Sequence, residues 1–432
     1  MKKTILYSFF CLLLASNVFA QVPSPAPAQK MPILIQGATI HIGNGQVIEK
    51  GDIRIENGKI TYVGASQAVS TTDAEVIRAE GKHVYPGLIL LNTSLGLVEI
   101  AAIPATVDDD ETGNLNPHVR SIIAYNTDSE MIYPTRSNGI LFAQVTPQGS
   151  FVKGSSSVVH LDAWNWEDAA VKTDVGIHIN WISMYQRPNF FLGETAFRKN
   201  ERRKEQLQQA DKFMKDAFAY SQIANPNPIN LRFEAMKGLF DGSKKLFIHV
   251  DNAKEIMEAV EFAQENKVKN IVVVGGTESY MITDFLKNNN VAVILNHTFN
   301  LPSYNDDDVD LPYKLPYLLH KAGVSYAIGY EENHTRARNL PFAAGVAAGY
   351  GLTKEEALMS ITLNAAKILG VEKQIGSLEV GKDGSLVICE GDILDMRTSN
   401  ITHALIQGRK LNLDDRHKRL YKKFKDKYEN NK

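Results

Sequence analysis

The chain has 432 residues, of which 44% are hydrophobic and 22% are charged. This composition supports a large core and excludes a chain that is disordered throughout. Lys and Arg number 47 against 49 Asp and Glu, and this near-neutral balance argues against nucleic acid as a partner.

The N-terminus has the pattern of a signal peptide. Lys2 and Lys3 precede an apolar stretch, residues 5–15, that is too short to cross a membrane, and residues 18–20 (VFA) offer a small-residue cleavage site. No later apolar run is long enough to form a transmembrane segment. We therefore predict that residues 1–20 are removed after Ala20 and that the protein is periplasmic or secreted.

Both ends of the mature chain predict β structure. Residues 21–32 are rich in Pro and Ala and predict a flexible leader. Residues 33–84 contain short apolar runs separated by glycines, and Asn57-Gly58 between two such runs predicts a hairpin. Short strands and glycine turns return over residues 371–412. We expect the two stretches to form one small composite β-sandwich.

The middle of the chain, residues 85–370, alternates Val/Ile-rich runs with amphipathic segments. Strands made of continuous Val and Ile, each followed by a helix, predict a parallel sheet that is covered on both faces. The repeated pattern predicts an α/β fold, a (β/α)8 TIM barrel, with an open doubly wound sheet as the alternative. The clearest predicted strands are residues 246–250, 270–274, 292–295 and 325–328, and the clearest helices are 253–265, 280–288 and 317–322.

Three further helices are predicted from charge and capping patterns. Residues 199–221 indicate one long charged helix outside the barrel. Thr353 and Glu356 have the spacing of a capping box and open a predicted helix over residues 355–369. Residues 413–432 indicate a basic C-terminal helix or tail.

Several motifs then follow one another in a specific order, and through them the chain resembles the metal-dependent amidohydrolase superfamily, in its imidazolonepropionase-like branch. The resemblance covers roughly residues 33–412. It implies hydrolysis of a C–N bond by water that one or two divalent ions activate at the C-terminal ends of the barrel strands. The motifs are residues 37–41 (GATIH), 57–60 (NGKI), 84–89 (VYPGLI), 339–341 (NLP), 357–370 (ALMSITLNAAKILG) and 376–382 (GSLEVGK).

The metal-binding positions that the resemblance implies are largely replaced. On the first barrel strand, Leu90 stands where the family has an acid, and Asn92 and Ser94 stand where it has two His. Gly275 occupies the position of the sixth-strand His. Because none of these is a good ligand for a transition metal, the resemblance implies a degenerate metal site.

Two chemical positions of the family are kept or conservatively changed. His249 corresponds to the fifth-strand His, and Glu331 corresponds to the eighth-strand Asp. We predict both as catalytic residues and His249 as a weak metal ligand, with a structural, hydrogen-bonded histidine as the alternative reading of His249. The predicted substrate-binding residues are Asn92, Ser94, Asp251 and Arg336.

Other polar and aromatic groups are candidates for a rebuilt site. The acidic runs 108–111, near His118, and 306–308, near Asp310, could hold an oxygen-bound cation, although most such runs are solvated loops. Trp164 and Trp166 could stack on a substrate or pack in the core, and packing is favoured. Cys389 is expected in the core, and no nucleophile elbow is present.

Two functions remain open from the sequence. The first is a hydrolase that acts on a cyclic amide, ureide or small peptide-like substrate through a remodelled site. The second is a catalytically inactive amidohydrolase-fold protein that binds a small ligand or a partner. We assign no cofactor, with one divalent ion (Zn, Mn or Fe) as the alternative, and large barrels of this family allow a homodimer.

Overall fold

The computed structural model describes residues 24–66, 73–186, 188, 196–296, 298–302, 307–330 and 335–429. The predicted signal peptide and Glu331 lie outside these ranges. Two large sheets dominate the described part of the chain, and each packs on an apolar core of its own.

The first sheet is built from both ends of the chain. Its strands are β1 (Ile33–His41), β2 (Val47–Glu56), β3 (Lys59–Ala65), β4 (Glu75–Arg78), β5 (His83–Pro86), β16 (Leu386–Cys389), β17 (Ile401–Ile406) and β18 (Arg409–Lys410). The order across the sheet is β18-β17-β16-β5-β1-β2-β3, and β4 also pairs with β1. The N-terminal strand β5 therefore lies hydrogen-bonded to the C-terminal strand β16.

The predicted hairpin at Asn57-Gly58 is confirmed as the connection between β2 and β3. Both residues have positive φ, +49° at Asn57 and +77° at Gly58. Two successive positive φ angles define the tight turn whose twist matches the flanking strands, and Asn-Gly adopts it at low cost.

The second sheet is the barrel. Its strands are β6 (Leu88–Thr93), β7 (Ile140–Val145), β8 (Val152–His160), β9 (Ala170–Asn180), β12 (Lys245–Val250), β13 (Ile271–Gly275), β14 (Ala292–Leu295) and β15 (Tyr326–Ile328). They neighbour one another in chain order, and a small separate hairpin pairs β10 (Tyr185–Gln186) with β11 (Arg198–Lys199). A Cβ added at Gly329 would lie 3.3 Å from the carbonyl oxygen of Leu91, so the chain just after β15 comes close to β6. This nearly closed sheet of eight strands confirms the predicted barrel.

One barrel strand runs against the others. β8 is antiparallel to both β7 and β9, whereas the remaining neighbours are parallel. Only residues 146–151 connect β7 to β8, which is too short for the crossover that a parallel pair needs. The predicted all-parallel arrangement is therefore wrong at this strand. Because Val152 pairs with Ile179, the beginning of β8 lies beside the end of β9.

Most helices lie between the barrel strands in sequence, and the last one comes after the final strand of the first sheet. They are α1 (Ile132–Ser137), α2 (Trp166–Ala169), α3 (Arg203–Ser221), α4 (Leu231–Asp241), α5 (Ala253–Glu265), α6 (Thr283–Asn288), α7 (Leu311–Ala322), α8 (Leu340–Gly349), α9 (Lys354–Ser360), α10 (Leu363–Leu369) and α11 (Arg416–Glu429). Single 3-10 turns occur at Pro104–Thr106, Ser121–Ala124, Ser279–Ile282 and Ala337–Asn339.

The helix predicted over residues 355–369 is two helices. The capping box is present, since the Thr353 side chain accepts from the Glu356 amide and the Glu356 carboxylate accepts from the Thr353 amide. The helix then breaks before Thr362, whose hydroxyl donates to the carbonyl of Leu358 at 2.7 Å. The break leaves the carbonyl of Ile361 to accept from a backbone N–H of β6, which ties this helical pair to the barrel.

Helix α7 begins earlier than predicted. The helix is predicted over residues 317–322, but it starts at Leu311 and contains Pro316. Pro312 lies at its first turn, where the missing N–H has no partner to lose. The helix ends at Gly323, whose φ of +74° is the left-handed conformation typical of a helix C-terminus.

A buried ionic cluster joins the two sheets. The carboxylate of Asp162, after β8, pairs with Arg136 of α1 and with Arg409 of β18, the latter at 3.1 Å. The Asp162 carboxylate also accepts from the backbone N–H of Ala26 at 2.9 Å. Arg136 and Asp162 have side-chain exposures of 5% and 3%. Chain segments that are far apart in sequence are thus held at one carboxylate.

His160, next to this cluster, makes stability depend on pH. Burial, reinforced by the charge of Arg409, lowers the pKa of His160 from 6.5 to about 4. Because the folded pKa is depressed, the unfolded chain binds more protons between those values, and stability falls as the pH drops below 6.5. We expect His160 to contribute a loss of about 2 kcal/mol between pH 7 and pH 5.

Urea unfolding of the wild type and of His160→Gln at both pH values measures this contribution. The variant carries no titrating group at this position and should lose about 2 kcal/mol less on acidification. Equal losses in the two proteins would show that His160 does not titrate in this range.

Candidate functional site

The polar side chains of the barrel interior collect at one end. This end contains the C-terminal ends of the parallel strands and, because β8 is reversed, also the beginning of β8. In barrels of this type the active site lies at the C-terminal ends of the strands.

A chain of hydrogen bonds, here called the interior chain, runs from Lys153 into the barrel. Lys153 Nζ lies 3.4 Å from His249 Nδ1, and His249 Nε2 lies 3.0 Å from His178 Nδ1. His178 Nε2 lies 2.8 Å from Ser156 Oγ, which accepts from Gln144 Nε2 at 3.0 Å. His178, Ser156 and Gln144 have no exposed surface.

The electrostatics keep both histidines of the interior chain neutral. Burial lowers the pKa of His249 and of His178 well below the usual value, and the ammonium of Lys153 lowers both further. An ammonium can only donate, so His249 Nδ1 accepts from Lys153. It follows that His249 Nε2–H donates to His178 Nδ1 and that His178 Nε2–H donates to Ser156.

Asn92 lies near the end of β6, with its side chain buried. It is fully buried, and its φ of +50° is the left-handed conformation that Asn tolerates better than most residues. Its backbone N–H donates to Gln144 Oε1 at 3.2 Å, and its amide reaches Asn296 Oδ1 at 3.5 Å. Its own side-chain oxygen has no hydrogen-bond partner within the described residues. Asn92 therefore offers an acceptor inside the barrel.

Asp251 occupies the space that a sixth-strand ligand would need. Its Oδ1 accepts from the hydroxyl of Thr277 at 2.7 Å and from the amide of Thr277 at 3.3 Å. A Cβ added at Gly275 would lie 2.7 Å from the same oxygen, and Gly275 has a φ of +99°. A histidine at position 275 would therefore displace Asp251 and strain the backbone.

A cavity of about 560 Å³ opens beside His249 and Asp251. Trp181, Met184, Tyr185 and Phe197 provide apolar walls, and carboxylates of Glu255 and Glu278 lie at its edge. Glu255 accepts from Ser183 Oγ at 2.9 Å, and Glu278 accepts from the amide of Ala253 at 2.8 Å, so hydrogen bonds fix these acids. A concave, mostly apolar pocket with a few fixed polar groups is typical of a small-molecule site.

The predicted site residues are only partly brought together. His249 and Asp251 line the same cavity. Asn92 reaches the interior chain through Gln144, whereas neither Ser94 nor the exposed Arg336 lines that cavity. Glu331 lies outside the described residues.

The other predicted groups lie away from this cavity. Trp166 packs against the barrel core, and Trp164 is 68% exposed. The acidic run 108–111 lines a separate surface cavity together with His118, Arg120 and Arg232, and Asp306 lies outside the described residues. Cys389 is buried, and burial raises the pKa of its thiol.

Four residues of the interior chain were missed by the sequence analysis: Gln144, Lys153, Ser156 and His178. His178 carried a usable signal, because it lies between Ile177 and Ile179 in an alternating strand and so faces away from their side. Lys153 carried none, since its position depends on the reversal of β8.

The described residues do not fit a binuclear metal centre. Asn92, Ser94 and Gly275, which the resemblance aligns with ligand positions, offer no His or carboxylate, and both ring nitrogens of His249 face Lys153 or His178. Within the described ranges no group of three or more His, Cys, Asp and Glu side chains could hold a metal ion. The ammonium of Lys153 would also repel a divalent cation from His249.

Sequence comparison decides the family. The sequence model described as "Amidohydrolase family" matches residues 167–412, which is more than half of the chain. The chain belongs to the amidohydrolase family. Members of this family usually use divalent metals, so the donor set around His249 departs from the common pattern.

The chain is similar to a dihydroorotase and, over a shorter stretch, to an imidazolonepropionase. It is 22% identical over 412 residues to a dihydroorotase of Pelotomaculum thermopropionicum, covering 84% of this chain and 90% of the relative. It is 36% identical to an imidazolonepropionase of Symbiobacterium thermophilum, but over 83 residues, 18% of this chain and 20% of the relative. These relatives are hydrolases of C–N bonds.

Solved structures support the fold. An amidohydrolase from Thermotoga maritima superposes with a TM-score of 0.78 at 24% identity and covers 88% of this chain and 99% of its own. A prolidase complexed with N-methylphosphonate-L-proline superposes with a TM-score of 0.54 at 15% identity, over 88% of this chain and 99% of its own. In the described part of this amidohydrolase, no helix combines the length and apolar character needed to cross a bilayer.

Proposed function

We propose that this amidohydrolase hydrolyses a C–N bond of a small cyclic amide, ureide or peptide-like substrate in the cavity beside His249 and Asp251. One observation mainly supports this assignment: a carboxylate and a half-buried histidine that is hydrogen-bonded to the Lys153 ammonium meet at a cavity at the C-terminal end of β12. Family membership and the similar C–N hydrolases support the reaction class.

The charges of this site suit the two halves of the reaction. A water oxygen bonds to the substrate carbonyl carbon while one water proton passes to a carboxylate, a role that we assign to Asp251, predicted from the sequence as a substrate-binding residue, with the predicted catalytic Glu331 as its partner. The positive charge of Lys153, whose Nζ lies 3.4 Å from His249 Nδ1 and outside the residues that line the cavity, stabilises the oxyanion through its electric field. The C–N bond then breaks as the carboxylate returns the proton to the leaving nitrogen, giving a carboxylic acid and an amine.

A substrate screen with a paired variant tests this function. The protein from residue 21 onward is assayed against cyclic amides, ureides and small peptides, and His249→Ala is expected to lose turnover of any substrate found while keeping its fold. His320→Ala is the matched control, because His320 is 41% exposed and pairs with Glu356 on the outer helices. Undiminished turnover by His249→Ala would remove His249 from the mechanism.

A second candidate function is ligand binding without turnover. The observation that favours it is that the interior chain occupies both ring nitrogens of His249 with hydrogen bonds. Calorimetric binding of a cyclic amide that the protein does not hydrolyse would support this candidate over the hydrolase.

Elemental analysis separates both candidates from an ordinary metal enzyme. For protein purified without chelators or a His tag, we expect far less than one Zn, Mn or Fe per chain, because the described donors do not form a metal site. One tightly held ion per chain would overturn the remodelled site. Metal-free turnover would support the hydrolase, and metal-free binding alone would support the second candidate.

We also propose that the protein is exported. The charged start, the short apolar stretch and the small residues before Gln21 support this proposal. N-terminal sequencing of the protein from the periplasm should find Gln21 first; an intact Met1 would contradict export by this route.

A further inference from the structure

The last described helix, α11 (Arg416–Glu429), leaves the body of the protein after β18. Its first turn is fixed: the carboxylate of Asp415 accepts from the amide of Lys418 at 2.9 Å, and the carboxylate also accepts from the hydroxyl of Ser137 at 2.9 Å. Beyond this point, every residue from Arg416 to Glu429 is exposed.

Such a helix lacks the usual source of helical stability. Helices of about 14 residues are marginal in water on their own, and most helices in proteins are stabilised by packing one apolar face. α11 has no buried residue, although it carries Leu420, Tyr421, Phe424 and Tyr428 at exposures of 41% to 69%. Its apolar face is unpartnered in the described structure.

The apolar side chains of α11 form one stripe. At about 100° per residue, Leu420, Phe424, Tyr428 and Tyr421 fall within an arc of about 100°, with His417 near its N-terminal end. This is the width of an apolar stripe that packs against a surface. Two of its members are tyrosines, whose apolar ring and polar hydroxyl suit the boundary between water and an apolar phase.

The charges of α11 are arranged around that stripe. The helix has seven Lys and Arg against two acidic side chains. Arg416, Lys423 and Lys427 border the stripe on one side, and Lys418 and Lys425 border it on the other. Asp426 lies on the far side of the helix, whereas Glu429 lies next to Lys418 and pairs with Lys425 at 3.7 Å, so the edges of the stripe are predominantly cationic.

We propose that α11 binds the surface of an anionic phospholipid membrane, with its apolar stripe in the interface and its flanking Lys and Arg at the headgroups. A large amphipathic moment, a cationic rim and aromatic residues in the stripe are the features of helices that lie in such an interface. The attraction of flanking Lys and Arg to anionic headgroups supplies the charge complementarity. The barrel is thereby held at a membrane without crossing it.

Vesicle co-sedimentation tests this proposal. The protein from residue 21 onward is mixed with vesicles of phosphatidylcholine alone, or of phosphatidylcholine and phosphatidylglycerol in equal parts. We expect binding to the mixed vesicles, little binding to the neutral ones, and release as salt is raised, because salt screens exposed charges.

Two variants and a matched control separate the contributions. Leu420→Ser with Phe424→Ser and Tyr428→Ser should abolish binding, and Lys423→Gln with Lys427→Gln should weaken it about 25-fold, from about fivefold per basic residue near an anionic surface. The control, Lys212→Gln with Lys215→Gln, removes the same charge from exposed lysines of α3 and should bind like the wild type. Thermal unfolding should be unchanged in all three proteins, since α11 has no buried residue.

Several outcomes would overturn the proposal. Failure of the protein to bind anionic vesicles is one, and equal binding to both vesicle types is another. Undiminished binding by the variant without the apolar stripe would contradict the proposal as well. Binding to a DNA oligonucleotide without binding to vesicles would instead assign the charges to nucleic acid. Self-association that the stripe variant abolishes, again without vesicle binding, would assign the stripe to a second copy of the chain.

Discussion

Replacing Asp162 with alanine should destabilise the protein by about 3–5 kcal/mol, because it leaves a buried charge without its partner. The guanidinium of Arg136, on α1, would remain buried without its carboxylate, and Arg409 would lose the same carboxylate at 3.1 Å. The amide of Ala26 would lose its acceptor as well. Urea unfolding measures the change as a lower midpoint at an unchanged slope.

Two companion variants identify the cause. Asp162→Asn keeps the shape of the side chain and one acceptor oxygen but removes the charge. If the negative charge is what stabilises buried Arg136, this variant should lose most of the unfolding free energy that Asp162→Ala loses. Asp174→Asn removes the charge from the more exposed pair with Arg120 and should cost less than about 1 kcal/mol, because Asn tolerates the φ of +50° at this position. If Asp162→Asn were as mild as Asp174→Asn, the buried cluster would not hold the two sheets together.

Replacing Lys153 with methionine should lower kcat/KM by about 10²- to 10³-fold for any substrate that the screen identifies. Methionine keeps most of the length and apolar contact of the lysine but removes its ammonium, the group proposed to stabilise the oxyanion. Losing a donor that contacts an oxyanion typically costs a factor of this size, and the charge of Lys153, which acts through space, is expected at the lower end of that range. Because 4% of Lys153 is exposed, the charge acts in a region where solvent screens it weakly.

A second measurement on the same variant does not depend on a substrate. The ammonium of Lys153 lowers the pKa of His249 and of His178, so its removal should raise both values in a nuclear magnetic resonance titration. Lys172→Met is the control. Lys172 lies near the start of β9, whereas His178 lies near its end, and the Lys172 ammonium donates to the carbonyl of Gly370 at 3.3 Å. Unmoved histidine pKa values in Lys153→Met would contradict the geometry of the interior chain.

The sequence predicted the barrel well where local patterns act alone. The predictions for residues 253–265 and 292–295 match the observed bounds, because the amphipathic spacing of a helix and a short Val/Ile run are local signals. The reversal of β8 was not visible, since strand direction is set by the short connection and by pairing with β9. The break at Thr362 was missed because a side-chain hydroxyl competes there with the helix backbone.

The site was predictable only at its edges. His249 was found through the resemblance, and Asp251 followed from its spacing to His249. Lys153, His178 and Ser156 meet through pairing between strands that are distant in sequence, which no local pattern encodes. The role of Gly275 likewise depends on the position of the Asp251 carboxylate, which only the folded structure shows.

The pairing of β5 with β16 has a consequence for biosynthesis. Strands β1 to β5 are made first, but their hydrogen-bonded neighbour in the sheet is completed only when residue 389 has been synthesised. Such a long-range contact closes a loop of about 300 residues and is slow to form. The N-terminal strands therefore present an unpaired edge throughout translation, and the nascent chain depends on protection of that edge until its last tenth is made.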